Sequence, residues 1–451
     1  MSDHDGDDAL TRALSRLGRD ERFKEVLARP EAFRFQCLLT ECDDIPSTSA
    51  RRQGYRANEE YFYPASTIKL VVAAAALHVT RRLAEESDGG LLARGLKLTT
   101  PLRFHYRHRS VGDAGTPGDG DGVEGESHAI FVDETNKSGK RITLAHLIRN
   151  VFLVSSNGAY NLLLDFVGRG TLNALLTTAL GFEHFKIDHY LQDDRFGPQP
   201  DRVGGFLGIE ADLGPAGHLG IKCGDSLVPL IKGRAVCDPG RPRPAPLFTD
   251  FLVGEKHVSE WDHRPASGEV GAREGGEGGN GGLIGEPKSF EAKNRASLVE
   301  LQDFLMVVLG WPLPGRPPSG GGNGTPVRRA FAEDLLNHAE RAFLSQAMGT
   351  RTTEAFNPEY GEDEYASDWN KFFLSGVAKV SVNSCFGSTQ SSDLTPLFSF
   401  SLRFGASRPL QFTTSWARPT DSAWTTLAFL TGRRGGPSFL RLWCTPTPMG
   451  F

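Results

Sequence analysis

Tyr61-Phe-Tyr-Pro-Ala-Ser-Thr-Ile-Lys69, running without a break into Leu70-Val-Val-Ala-Ala-Ala-Ala-Leu77, is the stretch on which the reading of this chain turns. The second half is apolar almost all round, so it predicts a helix that is buried and does not lie on a surface. Pro64 suits the entry to that helix, because it lacks the N–H that a first turn leaves unpaired. Ser66 then falls in the first turn and Lys69 one turn on, which puts both side chains on one face. A serine beside a lysine in an apolar wall fits an activated nucleophile, since desolvation favours the neutral amine that accepts the serine proton. A plain helix start with a snorkelling lysine gives the same four letters, so this motif alone leaves both readings open.

A second stretch narrows the choice. Thr143-Leu-Ala-His-Leu-Ile-Arg-Asn-Val-Phe-Leu-Val154 predicts another apolar helix with Thr143 as its N-cap. A polar break, Ser155-Ser-Asn-Gly158, separates it from a third helix expected from Ala159 to Val167, closed by Gly168. A hydroxyl and a carboxamide in a tight turn between buried helices suit proton relay and the holding of an acyl amide. The competing reading is a plain loop with Asn157-Gly158 as its turn.

Together the two stretches resemble the serine β-lactamase and penicillin-binding superfamily, whose signatures are Ser-x-x-Lys, Ser-Asp-Asn and Lys-Thr-Gly. The closer similarity is to the class A β-lactamase-related serine hydrolases, through Tyr61–Lys69 and through Leu153-Val-Ser-Ser-Asn-Gly-Ala-Tyr-Asn-Leu-Leu163. Segments Phe33–Thr40, Phe290–Leu309 and Asp368–Leu374 look like that family too, so the resemblance spans most of residues 20–380. It implies Ser66 as the nucleophile of an acyl-enzyme and Lys69 as its general base. It also implies that Ser155 passes a proton to the departing nitrogen and that Asn157 holds Lys69 and the substrate's acylamide. Ser156 replaces the family's Asp and is expected to loosen the turn while leaving the chemistry in place.

Two departures bear on the reaction. The family's deacylating glutamate belongs to a Glu-x-x-Leu-Asn loop, but the corresponding region here is Tyr190-Leu-Gln-Asp-Asp-Arg-Phe-Gly, with Asp193 and Asp194. Glu333-Asp-Leu-Leu-Asn337 matches the letters far downstream and reads as coincidence. The third signature has only Lys379-Val-Ser381 as a candidate substrate-binding element, without the glycine that lets substrate approach the backbone. From Ser381 to Phe451 the only acids are Asp393 and Asp421, against six arginines. This composition suggests the hypothesis that the tail has left its ancestral reading frame; a closed alternate frame in the nucleotide sequence sinks it. Leu397–Phe404 still alternates as a strand does.

The remaining sequence sets the frame. Residues 8–28 predict one or two short helices, Phe33–Thr40 a strand, and the Arg-rich segment reaching Tyr55 its hairpin partner. Residues 290–309 and 327–347 predict further amphipathic helices. Strands followed by a long helical middle give an α+β fold, β-lactamase/transpeptidase-like, with a helical region packed on an antiparallel sheet whose C-terminal portion is in doubt. The expected organisation is one hydrolase domain over 1–382, with Gly-rich insertions near 110–127, 266–287 and 314–325, then an atypical tail over 383–451.

With 451 residues, 39% apolar content and a net charge of −5, the chain has material for a large core and no bias toward nucleic acid. No run reaches the length of a membrane span, and the acidic start, Met1-Ser-Asp-His-Asp-Gly-Asp-Asp, is unlike a signal peptide. The family works outside the cytoplasm, so the compartment is left open. Six cysteines without Cys-x-x-Cys spacing propose no zinc or redox site, and the pairs His105/His108 and His184/His189 lack a third ligand. No cofactor and no metal are expected. The expected partner is a small β-lactam or peptidoglycan-like peptide substrate acting on a monomer. The activity is either β-lactamase-like hydrolysis or a D-alanyl carboxypeptidase and penicillin-binding activity with slow deacylation. A non-catalytic binding descendant of the fold is the third alternative.

Overall fold

The computed structural model describes residues 9–42, 50–61, 63–86, 96–107, 127–191, 206–232, 250–253, 257–258, 283–284, 288–291, 293–311, 313, 334–361, 364–365, 410–416, 424–432 and 438–444. The Gly-rich insertions lie almost entirely outside these residues, as do Lys379, Asp193, Asp194, Asp368–Leu374 and the expected strand at 397–404.

Two short helices open the chain, α1 (Ala9–Leu17) and α2 (Glu21–Ala28), with an apolar side each, as the leucine spacing predicts. Strand β1 (Gln36–Cys42) follows, and β2 (Ala50–Tyr55) pairs with it antiparallel, Leu39 opposite Gln53. The faces of β1 divide the labour. Phe35, Cys37 and Leu39 pack with Leu10, Leu14 and Val26, while Leu38 joins the main core on the other side. That two-sided cover explains why the strand is apolar beyond simple alternation.

The centre of the molecule is helix α3 (Lys69–Glu86), whose residues Leu70 to Val79 are all buried. It packs against α4 (Leu144–Leu153) and α5 (Asn157–Val167), which are themselves buried over nearly their whole lengths. Thr143 caps α4 as its sequence predicts, its hydroxyl accepting from the His146 N–H at 3.1 Å. Beyond them lie α6 (Arg169–Ala174) and α7 (Val228–Lys232). A four-stranded antiparallel sheet flanks the helices in the order β4 (Ser127–Ile130), β3 (Leu102–Arg107), β5 (Phe206–Asp212), β6 (His218–Ile221). Four two-residue strands, β7 (Leu252–Val253), β8 (His257–Val258), β9 (Leu283–Ile284) and β10 (Lys288–Ser289), form two small ladders.

The helix expected from residue 290 starts only at Leu298, as α8 (Leu298–Leu309), because the Ser297 hydroxyl caps it on the Glu300 N–H. Within the span 327–347, described from residue 334, Asp334 and Leu335 are helical and α9 (His338–Gly349) follows, started by an Asn337–Glu340 capping box. Asn337 of the Glu-x-x-Leu-Asn match is therefore a helix cap, and Leu335 beside it takes a hydrogen bond at its carbonyl from His78 on α3.

In the stretch expected as an atypical tail, β11 (Leu410–Trp416), β12 (Trp424–Gly432) and β13 (Ser438–Cys444) form antiparallel strands. They extend the first sheet to the order β11-β12-β13-β1-β2, with β13 placing Arg441 opposite Leu38. The last strands thus return to the first, and the fold is α+β with its helices gathered against an antiparallel sheet.

Candidate active site

The entry to α3 is tighter than the sequence suggests. Pro64 precedes a 3₁₀ turn over Ala65–Ile68, and the α-helix proper begins at Lys69. Both the N–H and the hydroxyl of Thr67 donate to the Pro64 carbonyl, which winds the turn closed. Ala65 has φ +45°, a conformation that costs an L-residue about 1–2 kcal/mol. Ser66 lies inside this turn with 8% of its surface exposed, and the Lys69 N–H donates to its carbonyl. Upstream, the Tyr61 hydroxyl donates to the Asn294 carbonyl and Arg34 donates to the Tyr61 carbonyl, fixing how the chain arrives.

Lys69 is 2% exposed, and its amine reaches the second motif. Nζ donates to the Ser155 carbonyl at 2.5 Å, to Ser155 Oγ at 2.9 Å and to Asn157 Oδ1 at 2.6 Å. All three of these acceptors are neutral oxygens. Ser155 presents both of its oxygens to one amine because its φ is +55°. The structure therefore brings together Lys69, Ser155 and Asn157, with Ser66 in the turn before Lys69 and bonded to its N–H through the backbone carbonyl, while Lys379 lies outside the described residues.

The polar break differs from its expected form. Helix α5 begins at Asn157, so Asn157-Gly158 is not a loop turn but the first helical pair. Ser156 is the N-cap, accepting from the Ala159 N–H at 3.1 Å. On the other flank, the Asn150 carbonyl accepts from both Val154 N–H and Ser156 N–H, bracketing the strained Ser155.

Other polar residues escaped the sequence reading. Among the described residues, segment 187–191 has no strand partner, and three side-chain carboxamides take the place of one. Asn173 bonds both backbone groups of Ile187, and Asn161 both backbone groups of Leu191. Between them Asn294 Oδ1 accepts from the N–H groups of Asp188 and His189. The clamped His189 is buried, and its ring stacks on that of Tyr63 at 6.2 Å. An asparagine beside Leu162-Leu163-Leu164, on a helix buried all round, was the one available sign.

Asp165, four residues further along α5, is also buried. It accepts from the Tyr106 hydroxyl at 2.6 Å and from the Tyr190 hydroxyl, joining α5 to β3 and to the clamped segment. Burial pushes its carboxyl up to about 6, outweighing the two hydroxyls that favour the charged form. Among the described residues no group of three or more His, Cys, Asp and Glu side chains is arranged to hold a metal. Nor, among them, is any helix long and apolar enough to cross a membrane.

Residues 123–204, which carry Ser155, Asn157 and Asn161, match the model of the β-lactamase enzyme family. Over those residues the chain is similar to that family. Ser66, Lys69 and Lys379 lie outside the matched residues, so the first motif rests on its own letters and geometry. Among solved structures, this chain is similar to the β-lactamase from Streptomyces albus G at 13% identity and a TM-score of 0.37, covering 95% of this chain and 90% of that one. A reconstructed last common ancestor of Gram-negative bacteria class A β-lactamase gives 13% identity and 0.38, with 96% and 92% covered. The chromosome-encoded β-lactamase of Vibrio parahaemolyticus gives 12% and 0.37, with 94% and 90% covered. Superpositions this loose carry no argument about the site. No curated protein matches the chain.

Proposed function

We propose that the chain is a serine hydrolase that opens an amide or β-lactam bond through an acyl-Ser66 intermediate. The observation that carries this reading is the Lys69 amine held between Ser155 Oγ and Asn157 Oδ1, one turn after Ser66. In its neutral form Lys69 Nζ takes the Ser66 hydroxyl proton as Oγ bonds to the carbonyl carbon. When the C–N bond breaks, Ser155 Oγ gives its proton to the departing nitrogen and is reprotonated by Lys69 across their 2.9 Å hydrogen bond. Water then cleaves the ester, releasing the acid and restoring Ser66. Asn157 holds the amine and offers its carboxamide N–H₂ to the substrate's acylamide.

One sequence feature favours the second form of this activity, a penicillin-binding or carboxypeptidase-like enzyme with slow deacylation. The chain has Tyr190-Leu-Gln-Asp-Asp where its relatives carry the glutamate that activates the hydrolytic water. Intact mass after exposure to a penicillin, with Ser66→Ala as control, tests both. A persistent adduct absent from the variant supports acyl-Ser66 with slow release; loss of antibiotic with a fleeting adduct supports a lactamase. Folded protein that shows neither removes the proposal and leaves a binding descendant of the fold.

A further inference from the structure

Beside the Ser155 turn lies a polar cluster that the proposed reaction does not use. It joins three separate pieces of chain: the tight loop 133–142, helix α4 and the segment 357–360. The Tyr360 hydroxyl donates to Asn150 Oδ1. Asn150 Nδ2 faces His146 Nε2 at 3.0 Å and Asp133 Oδ2 at 3.3 Å, and His146 Nε2 lies 3.1 Å from the same carboxylate oxygen. Thr135 closes the far end, its N–H and hydroxyl both donating to Asp133 Oδ1.

Asn150 Oδ1 accepts from Tyr360, so its Nδ2 donates, and Asp133 accepts. His146 Nε2 faces three groups at once, the Asp133 carboxylate, Asn150 Nδ2 and the Thr135 hydroxyl, which lies 3.3 Å away. Its Nδ1 is buried without a hydrogen-bond partner among the described residues. Burial acts to raise the Asp133 carboxyl, but the bonds from His146 and Thr135 outweigh it and hold the group well below the usual range.

The fixed point at the centre of the cluster is Asn150, whose backbone carbonyl accepts from the N–H groups on both sides of Ser155. We infer that Tyr360 and Asn150 are positioning residues for the Ser155 turn, the chain from Asp133 through His146 to Tyr360 being a brace that holds Ser155 Oγ where Lys69 can use it. The catalytic half of this statement rests on the proposed function; the structural half does not.

Tyr360→Phe removes the hydroxyl and keeps the ring packed on Tyr365, 5.0 Å away. Asn357→Ala is the matched control. Asn357 ties the same segment to the same loop, bonding Asn136, Ser138 and the Lys137 N–H, but touches nothing in the brace. Hydrogen exchange followed by mass spectrometry on peptides spanning 154–158 is read first, and acylation by a penicillin second. In Tyr360→Phe the exchange at 154–158 should quicken about tenfold, the scale of one buried hydrogen bond. The first-order acylation constant should fall by a similar factor, with the half-saturating penicillin concentration unchanged. Asn357→Ala should leave both as in the parent.

Unchanged exchange in Tyr360→Phe overturns the brace, and so does equal quickening in Asn357→Ala, which would reduce it to general docking of the segment. Should Tyr360→Phe fail to fold, Asp133→Asn breaks the opposite end of the chain and is read in the same way. A parent protein that exchanges as expected but forms no adduct overturns the proposed function, and the exchange data still decide the brace.

Discussion

Replacing Asn157 by Asp changes one atom pair in the site and asks directly whether Lys69 is the base. The new carboxylate oxygen falls where Oδ1 now accepts from Lys69 Nζ at 2.6 Å, so a neutral acceptor becomes an ion pair. Asp is nearly isosteric with Asn, and it sits at the N-terminus of α5, where negative charge is favoured, so the fold should tolerate the change. A carboxylate this close to an ammonium shifts such groups by about 1–3 pKa units, here upward for the lysine, because the charged form gains a partner that the neutral form lacks. The amine must lose its proton before it can take one from Ser66. The rising limb of the acylation rate against pH should therefore move about 1–3 units to higher pH in Asn157→Asp. At neutral pH acylation then falls by about 10- to 1,000-fold, and raising the pH recovers part of it. Stopped-flow or quenched-flow intact mass across pH 6 to about 10.5 reads this directly, up to the ordinary lysine range. An unshifted profile in a folded variant would refute Lys69 as the base, since no geometry lets a new carboxylate beside Nζ leave the amine's proton affinity unchanged.

Three other outcomes follow from the same geometry. Asp165 titrates near 6 in the folded chain against about 3.9 unfolded, so its contribution is fully present below about pH 4 and is lost as pH rises through 6. That difference is worth about 3 kcal/mol, and Asp165→Asn should flatten the dependence in thermal melts between pH 4 and about 7.5. Ser156→Ala removes the N-cap of α5 and should cost about 1 kcal/mol in denaturant unfolding. Ser156→Asp, which keeps a capping oxygen and adds charge at the helix N-terminus, should recover that loss by the same measurement.

The parts of the fold that were legible in sequence are those set by local rules. Thr143 marks the start of α4, and the unbroken apolar run after Lys69 marks the buried centre. The spacing of Leu10, Leu14 and Val26 marks the helices that cover β1. The motif residues stood out as candidates because Ser66 and Lys69, and Ser155 and Asn157, are close in sequence. What was not legible depends on partners distant in sequence. Nothing near Asn294 announces that it will hold Asp188 and His189, more than a hundred residues earlier. Ser156 read as a weakened substitute because a cap is visible only once the helix is known to start at Asn157. The strands β11 to β13 pair with each other and with β1, so their evidence lies in register across the sheet and not in composition.

The two strained residues give the site its logic. Ala65 and Ser155 both hold left-handed φ values, one before the nucleophile and one at the relay, and each costs an L-residue about 1–3 kcal/mol. Neither strain is relieved locally, because each lies between elements whose ends are fixed by burial: α3 behind Ala65, and α4 and α5 on either side of Ser155. The bonds that offset the cost converge on one atom. Lys69 Nζ grips both oxygens of Ser155, and a relaxed, extended Ser155 would turn one of them away. On the proposed mechanism, the bonds that hold the Ser155 turn are also those that align the proton path, so loosening the turn should disable the relay. This coupling explains why polar residues without chemical duties, Asn150 and Ser156, stand directly beside the residue that has them.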